Sequence, residues 1–194
     1  MIYVAFLPPQ DARTYAEESA QAKQLLSCFY KTVFSKEPPE IQKTPEGKPF
    51  FTSPNAPQFS LSHSKGAAAV VLCDESLSVG VDIETKISTE KIERLRKRFP
   101  FIKKRNADRI SGDISFFYAV PISCGFDFKA TPKNTPADGE ATFFWTETEA
   151  LSKAGGAGLA DSKALDILEQ NHEISSFIFD DFYLSIAKNK GVCK

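Results

Sequence analysis

Residues 67–73, Ala-Ala-Ala-Val-Val-Leu-Cys, form an unbroken apolar run of seven, and a second apolar-rich run covers 77–83 after the polar triplet Asp74-Glu75-Ser76. Apolar runs this short, bounded by turn residues, read as β-strands joined by a turn. Residues 2–7 read as a further short buried strand, stopped by Pro8-Pro9. Residues 11–34 have a different period. Leu25, Cys28 and Phe29 recur at helical spacing after Ala16, Ala20 and Ala22, and Pro38-Pro39 closes the region. The 17 phenylalanines suit a β-rich core.

The remaining elements follow from the same signals. Residues 44–51 read as a turn with Lys48 at its tip. Residues 59–64 alternate like a strand end. Ser88-Thr89-Glu90 opens a helix whose face is Ile92, Leu95 and Phe99, and Pro100 ends it. Residues 103–142 carry turn pairs (Thr131-Pro132, Thr135-Pro136, Asp138-Gly139) and one strand-like run, 116–120. A long, partly mobile excursion is expected there. A helix from about Trp145 to Ala154 is stopped by the Gly155–Gly158 run. Residues 174–179 and 182–186, split by Asp180-Asp181, read as a hairpin.

Charge is uneven. The whole chain carries a net charge of -1, yet residues 86–105 hold nine basic residues and only Glu90 and Glu93 as acids. Such a stretch is either a solvated helix face or a docking surface for an acidic partner. Nucleic acid is not expected, because the chain is not basic overall and no aromatic residue interleaves with the patch before Phe99. Cys28, Cys73, Cys124 and Cys193 form no CxxC and have no histidine beside them, which argues against a zinc site or a redox dithiol and for free thiols in a reducing compartment. No basic-plus-apolar leader begins the chain, and no run approaches the ~18 apolar residues of a membrane span. A cytoplasmic protein without membrane contact is expected.

Four small constellations carry chemistry. In Gly80-Val81-Asp82-Ile83-Glu84 the acids alternate with apolar residues. On a strand, i and i+2 face one side about 6–7 Å apart, so Asp82 and Glu84 point together while Val81 and Ile83 enter the core. Paired carboxylates repel unless a cation lies between them or one protonates. Their hard oxygens suit Mg²⁺, which takes one or two carboxylates together with water and phosphate, although taken alone the pair also reads as an exposed acidic strand end. In Trp145-Thr146-x-x-Glu149-x-x-x-Lys153, Glu149 and Lys153 share a helix face. Thr146-x-x-Glu149 also has the spacing of a capping box, and Glu149 with Lys153 that of a helical ion pair, so local structure alone could account for both. Ser62 and His63 are adjacent on a strand and face opposite ways, which excludes a catalytic dyad and leaves phosphate binding at a strand end. Lys48, between Gly47 and Pro49, is a lysine on a rigid turn suited to a phosphate.

Taken in order, Gly47-Lys48-Pro49, Ser62-His63-Ser64, Gly80-Val81-Asp82-Ile83-Glu84, Trp145-Thr146-x-x-Glu149-Ala150-x-x-Lys153 and Gly158-Leu159, the sequence resembles the Sfp-type 4′-phosphopantetheinyl transferases over residues 47–186. The resemblance implies a pseudo-dimer of two similar α+β halves, 1–78 and 79–194, with the metal site and the 103–142 excursion in the second and the active site between the two. It implies Mg²⁺-dependent transfer of 4′-phosphopantetheine from coenzyme A to a serine of an apo acyl or peptidyl carrier protein, with release of 3′,5′-ADP. Fatty-acid, polyketide and nonribosomal-peptide carriers remain open. By the resemblance, Asp82, Glu84 and Glu149 surround Mg²⁺, Glu149 acts as base, and Lys153 meets the departing 3′,5′-ADP. Lys48, Ser62 and His63 hold the coenzyme's phosphates. The basic 86–105 stretch would receive an acidic carrier. With both halves in one chain, a monomer is sufficient. The chain departs from the family pattern at Thr148, where a lysine is usual, in the short N-terminal half, and in the length of 103–142. These departures keep open a non-catalytic protein that binds coenzyme A or a carrier on the same fold. A metal-dependent phosphohydrolase using the same acids is a third class, disfavoured because no histidine cluster accompanies them.

Overall fold

The computed structural model describes residues 1–11, 14–103, 114–131 and 141–190. Strand β1 (Ile2–Leu7) leads into α1 (Tyr15–Phe34), the hairpin β2 (Ile41–Lys43) and β3 (Pro49–Phe51), and then β4 (Gln58–Ser64), β5 (Ala67–Cys73) and β6 (Val79–Thr85). Helix α2 (Thr89–Arg98) and the strands β7 (Ile114–Ile122) and β8 (Gly125–Ala130) follow. The chain closes with α3 (Ala141–Gly155), α4 (Ser162–Asn171), β9 (His172–Phe179) and β10 (Phe182–Asn189). The fold is mixed α+β.

Two sheets stack face to face. One is five-stranded, in the order β4-β5-β1-β7-β8, and the other three-stranded, in the order β6-β10-β9. Between them lie Val4, Phe6, Val71 and Phe116 from the first, and Val81, Ile83, Phe177 and Leu184 from the second. The outer face of the larger sheet is covered by α1 through Leu25, Leu26, Phe29 and Tyr30, which meet Ala68, Val70 and Leu72. The outer face of the smaller sheet is covered by α3 and α4 through Ala150, Leu151, Ala154 and Leu165. The result is a helix–sheet–sheet–helix stack. It explains why β5 is apolar throughout: Ala67, Ala69, Val71 and Cys73 face the other sheet, while Ala68, Val70 and Leu72 face α1.

The two strands read from 67–83 are present, but the Asp74–Ser76 turn does not fold them on each other. It carries the chain from one sheet into the other. Strand order also repeats. In β1-β5-β4 and in β6-β10-β9 the first strand of a segment pairs antiparallel with the last, which pairs antiparallel with the one before it. A helix covers each trio, α1 on one and α3 on the other.

Several expectations need correction. Residues 114–130 are not an irregular excursion: β7 runs parallel to β1, and β8 pairs antiparallel with β7, extending the larger sheet. The strand run of 116–120 is the middle of β7, and its two-strand extension depends on the free edge of β1, which the local pattern does not display. The Thr135-Pro136 and Asp138-Gly139 turns, Pro132, Lys104, Arg105 and Cys193 lie outside the described residues. Cys28 is only half-buried, whereas Leu25 and Phe29 are core. Helix α3 starts at Ala141, four residues before Trp145, because Thr142 Oγ1 accepts a bond from the Ile87 amide at 2.9 Å and ties the helix start to the end of β6. Thr146 therefore sits inside the helix, where its hydroxyl contacts Ser185 Oγ at 2.7 Å, and the expected capping box is absent there. A complete capping box occurs instead at α1, between Thr14 and Glu17. Helix α4 is a further element, capped by Asp161 and anchored by the single buried side chain of Leu165.

Candidate functional site

β6 builds the acidic wall. Its inward residues Val81 and Ile83 are buried between the sheets, as the alternation requires. Gly80 lies against α3 so closely that a Cβ would run into the Ala150 carbonyl and the Ala154 amide. That approach brings Asp82 and Glu84 beside the α3 residues Glu149 and Lys153.

β4 builds the facing wall. It is the edge of the larger sheet, and its serines at alternate positions reach across to β6. Ser60 Oγ accepts from the Val81 amide at 3.1 Å, Ser62 Oγ donates to Asp82 Oδ1 at 2.8 Å, and Ser64 Oγ donates to Glu84 Oε2 at 2.8 Å. His63, between two of them, turns the other way. Its Nδ1 is 3.1 Å from Glu18 Oε2 on α1, while the Glu18 Oε1 accepts the Gly66 amide at 2.8 Å. The Tyr15 ring stands edge-on to His63 with centroids 4.8 Å apart.

These walls enclose a cleft of about 1070 Å³, roofed by the β2–β3 hairpin. Lys48, Ser62, His63, Asp82, Glu84, Glu149 and Lys153 all line it. So do Lys23 and Lys43, which sequence reasoning did not assign. Every residue selected from the sequence is thus brought to one cavity, from segments up to 105 positions apart (Lys48 to Lys153).

Closer contacts refine this. Lys153 Nζ donates to Asp82 Oδ1 at 2.6 Å and to Ser62 Oγ at 3.0 Å, and lies 4.0 Å from Glu149 Oε2. The helical pair Glu149–Lys153 is therefore the looser contact, and Lys153–Asp82 the tighter one. Glu149 is pushed up to about 7 by burial first and then by the negative charge of Asp82, with Lys153 opposing and Glu84 adding to the rise. Glu84 is also raised, by burial, against the Ser64 hydrogen bond. Among the described residues, no three His, Cys, Asp or Glu side chains form a ready-made metal cage. The Lys153 ammonium instead lies against two of the three acids. Lys48 lines the cleft, but its ammonium donates to the Ala154 carbonyl at the end of α3, a contact that Ser78 Oγ also makes. Burial lowers its pKa. Thr148, at the position where the resemblance calls for lysine, is buried and donates to the Phe144 carbonyl at 2.7 Å.

The donor set fits a hard divalent cation. Asp82 Oδ2 is buried without a hydrogen-bond partner, and it is flanked by Glu84 and Glu149, both raised by burial first and by the charge of neighbouring acids second, a crowd of hard oxygens whose repulsion a divalent cation would relieve.

The residues missed were Ser60, Ser64, Glu18 and Tyr15. The alternation Ser60-x-Ser62-x-Ser64 is a period-2 polar face that could have flagged the first two. Glu18 and Tyr15 left no such signal. A scan against protein-family models found no match to this chain, and a search of curated proteins found none either.

Proposed function

We propose that this protein transfers 4′-phosphopantetheine from coenzyme A to a serine of an apo carrier protein. The observation that carries the reading is the convergence of Lys48, Ser62, His63, Asp82, Glu84, Glu149 and Lys153 on one cleft large enough for a nucleotide-containing ligand. The repeated strand order of the two antiparallel trios, each under its own helix, supports a pseudo-dimer of α+β halves with the cleft between them.

Asp82, Glu84 and Glu149 are the residues that would hold Mg²⁺, which supplies neutralisation of the diphosphate charge and polarisation of the phosphorus under attack. The carrier serine is a weak nucleophile at neutral pH and needs a base. Glu149, which lines the cleft beside Asp82 and Glu84, is the carboxylate that would take its proton. The serine Oγ–P bond forms at the β-phosphorus as the P–O bond to 3′,5′-ADP breaks. The serine proton passes to a Glu149 carboxylate oxygen, and the bond electrons leave with 3′,5′-ADP. Lys153, at the cleft end of α3, lies where its charge would balance that leaving group. His63, with Nδ1 engaged by Glu18, would donate from Nε2 to a phosphate oxygen as the imidazolium, both of whose ring nitrogens are donors. Lys48 serves a phosphate by giving up the Ala154 carbonyl.

The exposed basic residues Lys91, Arg94 and Lys97 of α2 support docking of an acidic carrier. Incubation of the protein with coenzyme A, Mg²⁺ and several apo acyl and peptidyl carriers, followed by intact-mass measurement, tests the reading. The expected result is one added phosphopantetheine arm on the carrier serine. Coenzyme A binding with no mass gain on any carrier would turn the assignment to a non-catalytic binding protein.

A further inference from the structure

The acidic site already contains a cation, and it belongs to the chain. We propose that the Lys153 ammonium is the resident counter-ion of the acidic site, exchanged for the divalent cation, so that metal uptake and release of Lys153 into the cleft are one event. The inference rests on the reading of Asp82, Glu84 and Glu149 as the metal's ligands.

Three observations carry it. First, Lys153 Nζ is seated on Asp82 Oδ1 at 2.6 Å, within 4.0 Å of Glu149 and 3.0 Å from Ser62 Oγ, so it holds ground that a cation shared by these acids would need. Second, Asp82 has one oxygen doubly engaged by Ser62 and Lys153, while Oδ2 is buried and without a partner. A buried carboxylate half-satisfied by one ammonium is an incomplete site. Third, exposure is one-sided. The Asp82 side chain is 6 % exposed and that of Lys153 is 31 % exposed and lines the cleft, so the long lysine chain, with more rotatable bonds and open space beside it, is the partner with room to turn into the cleft. One ammonium lies against two of the three carboxylates; a doubly charged ion competes for Asp82 with twice the charge, and the two cations repel when both crowd one oxygen. The displaced Lys153 would then be free to meet an anionic substrate in the cleft that it lines. The metal-free protein is thus kept folded by an internal cation and is held out of its working arrangement until the metal arrives.

Mn²⁺ binding to the metal-stripped full-length protein, followed by calorimetry and by the electron-spin signal of free Mn²⁺, reads the exchange directly, without any turnover. Lys153→Met and Lys153→Gln are expected to bind Mn²⁺ roughly tenfold more tightly than the unmodified chain, because the competing charge is gone. Lys153→Arg, which keeps the charge, stays near the unmodified value. The rise in melting temperature on adding Mg²⁺ is expected to be larger for Lys153→Met than for the unmodified chain. Lys153→Gln answers if Lys153→Met does not fold. Equal or weaker Mn²⁺ binding by the neutral variants overturns the exchange and leaves the metal assignment standing. No Mn²⁺ binding by any of the four proteins overturns both. Tighter binding by the neutral variants in a protein that modifies no carrier leaves the exchange standing and removes the transferase reading.

Discussion

Asp82 and Glu149 are both carboxylates in one cleft, yet a neutral amide changes them differently. Asp82 holds Ser62 and Lys153, so Asp82→Asn loses an ion pair as well as one of the proposed metal ligands, and both stability and the proposed transfer are expected to fall. Glu149 is destabilised in its charged form by burial and by Asp82, so Glu149→Gln relieves that burden. Its melting temperature at neutral pH is expected to hold or rise while kcat/KM drops by about 10²-fold or more. A drop in melting temperature with full activity would mean that Glu149 is structural. His172, outside the cleft lining but within reach of the Lys48 charge, offers a pH test of stability. Its Nδ1 is bound to the Leu168 carbonyl at 2.8 Å, its Nε2 is buried without a partner, and burial lowers its pKa below 6.5. The unfolded chain therefore takes up a proton near 6.5 that the folded chain refuses, so stability is lost as pH falls below 6.5. Urea midpoints at pH 7.5 and 5.0 should separate more for the unmodified protein than for His172→Gln. An identical separation removes His172 from the acid sensitivity.

At the scale of elements, the site depends on how tightly α3 lies on β6. Gly80 permits that contact, since a side chain there meets the Ala150 carbonyl. Gly80→Ala is expected to cost about 3 kcal/mol and to push Glu149 and Lys153 away from Asp82, with loss of Mn²⁺ binding at temperatures where the variant is still folded. Unchanged melting would show that α3 can shift at no cost. The start of α3 illustrates what local signals miss. Thr146 and Glu149 have capping-box spacing, but the hydrophobic burial of Phe143 and the Thr142–Ile87 bond carry the helix further back. Once interior, Thr146 joins Ser185 and Ser176 in a buried hydroxyl chain, at 2.7 and 2.9 Å. The capping box of α1 is tested more simply: Thr14→Ala loses the Glu17 amide bond and is expected to cost about 1 kcal/mol in urea unfolding.

Across the whole molecule, a net charge of -1 conceals a basic α2. Part of that charge is spent internally: Arg96 bonds Glu93 and the Ile102 carbonyl, and Lys103 pairs with Glu169. Lys91, Arg94 and Lys97 remain exposed. If the proposed transfer holds, the KM for the carrier is expected to rise with salt and with the triple reversal of these residues to Glu, while the KM for coenzyme A stays put. A flat salt response removes α2 as the docking face. No helix among the described residues is long and apolar enough to cross a membrane. The sequence by itself determined the identity of most strands and of α1 and α2, and the shared face of Asp82 and Glu84, because period-2 and period-3.6 patterns are set by backbone geometry within a few residues. It also selected the seven cleft residues, through the ordered motifs. Only the tertiary structure decided that β5 and β6 part into different sheets, that 114–130 extends the larger sheet, that Ser60 and Ser64 meet β6, and that Lys153 prefers Asp82 to its helical neighbour Glu149. Each of those joins groups on separate elements, and burial and charge among residues distant along the chain choose such partners, so no local period records them.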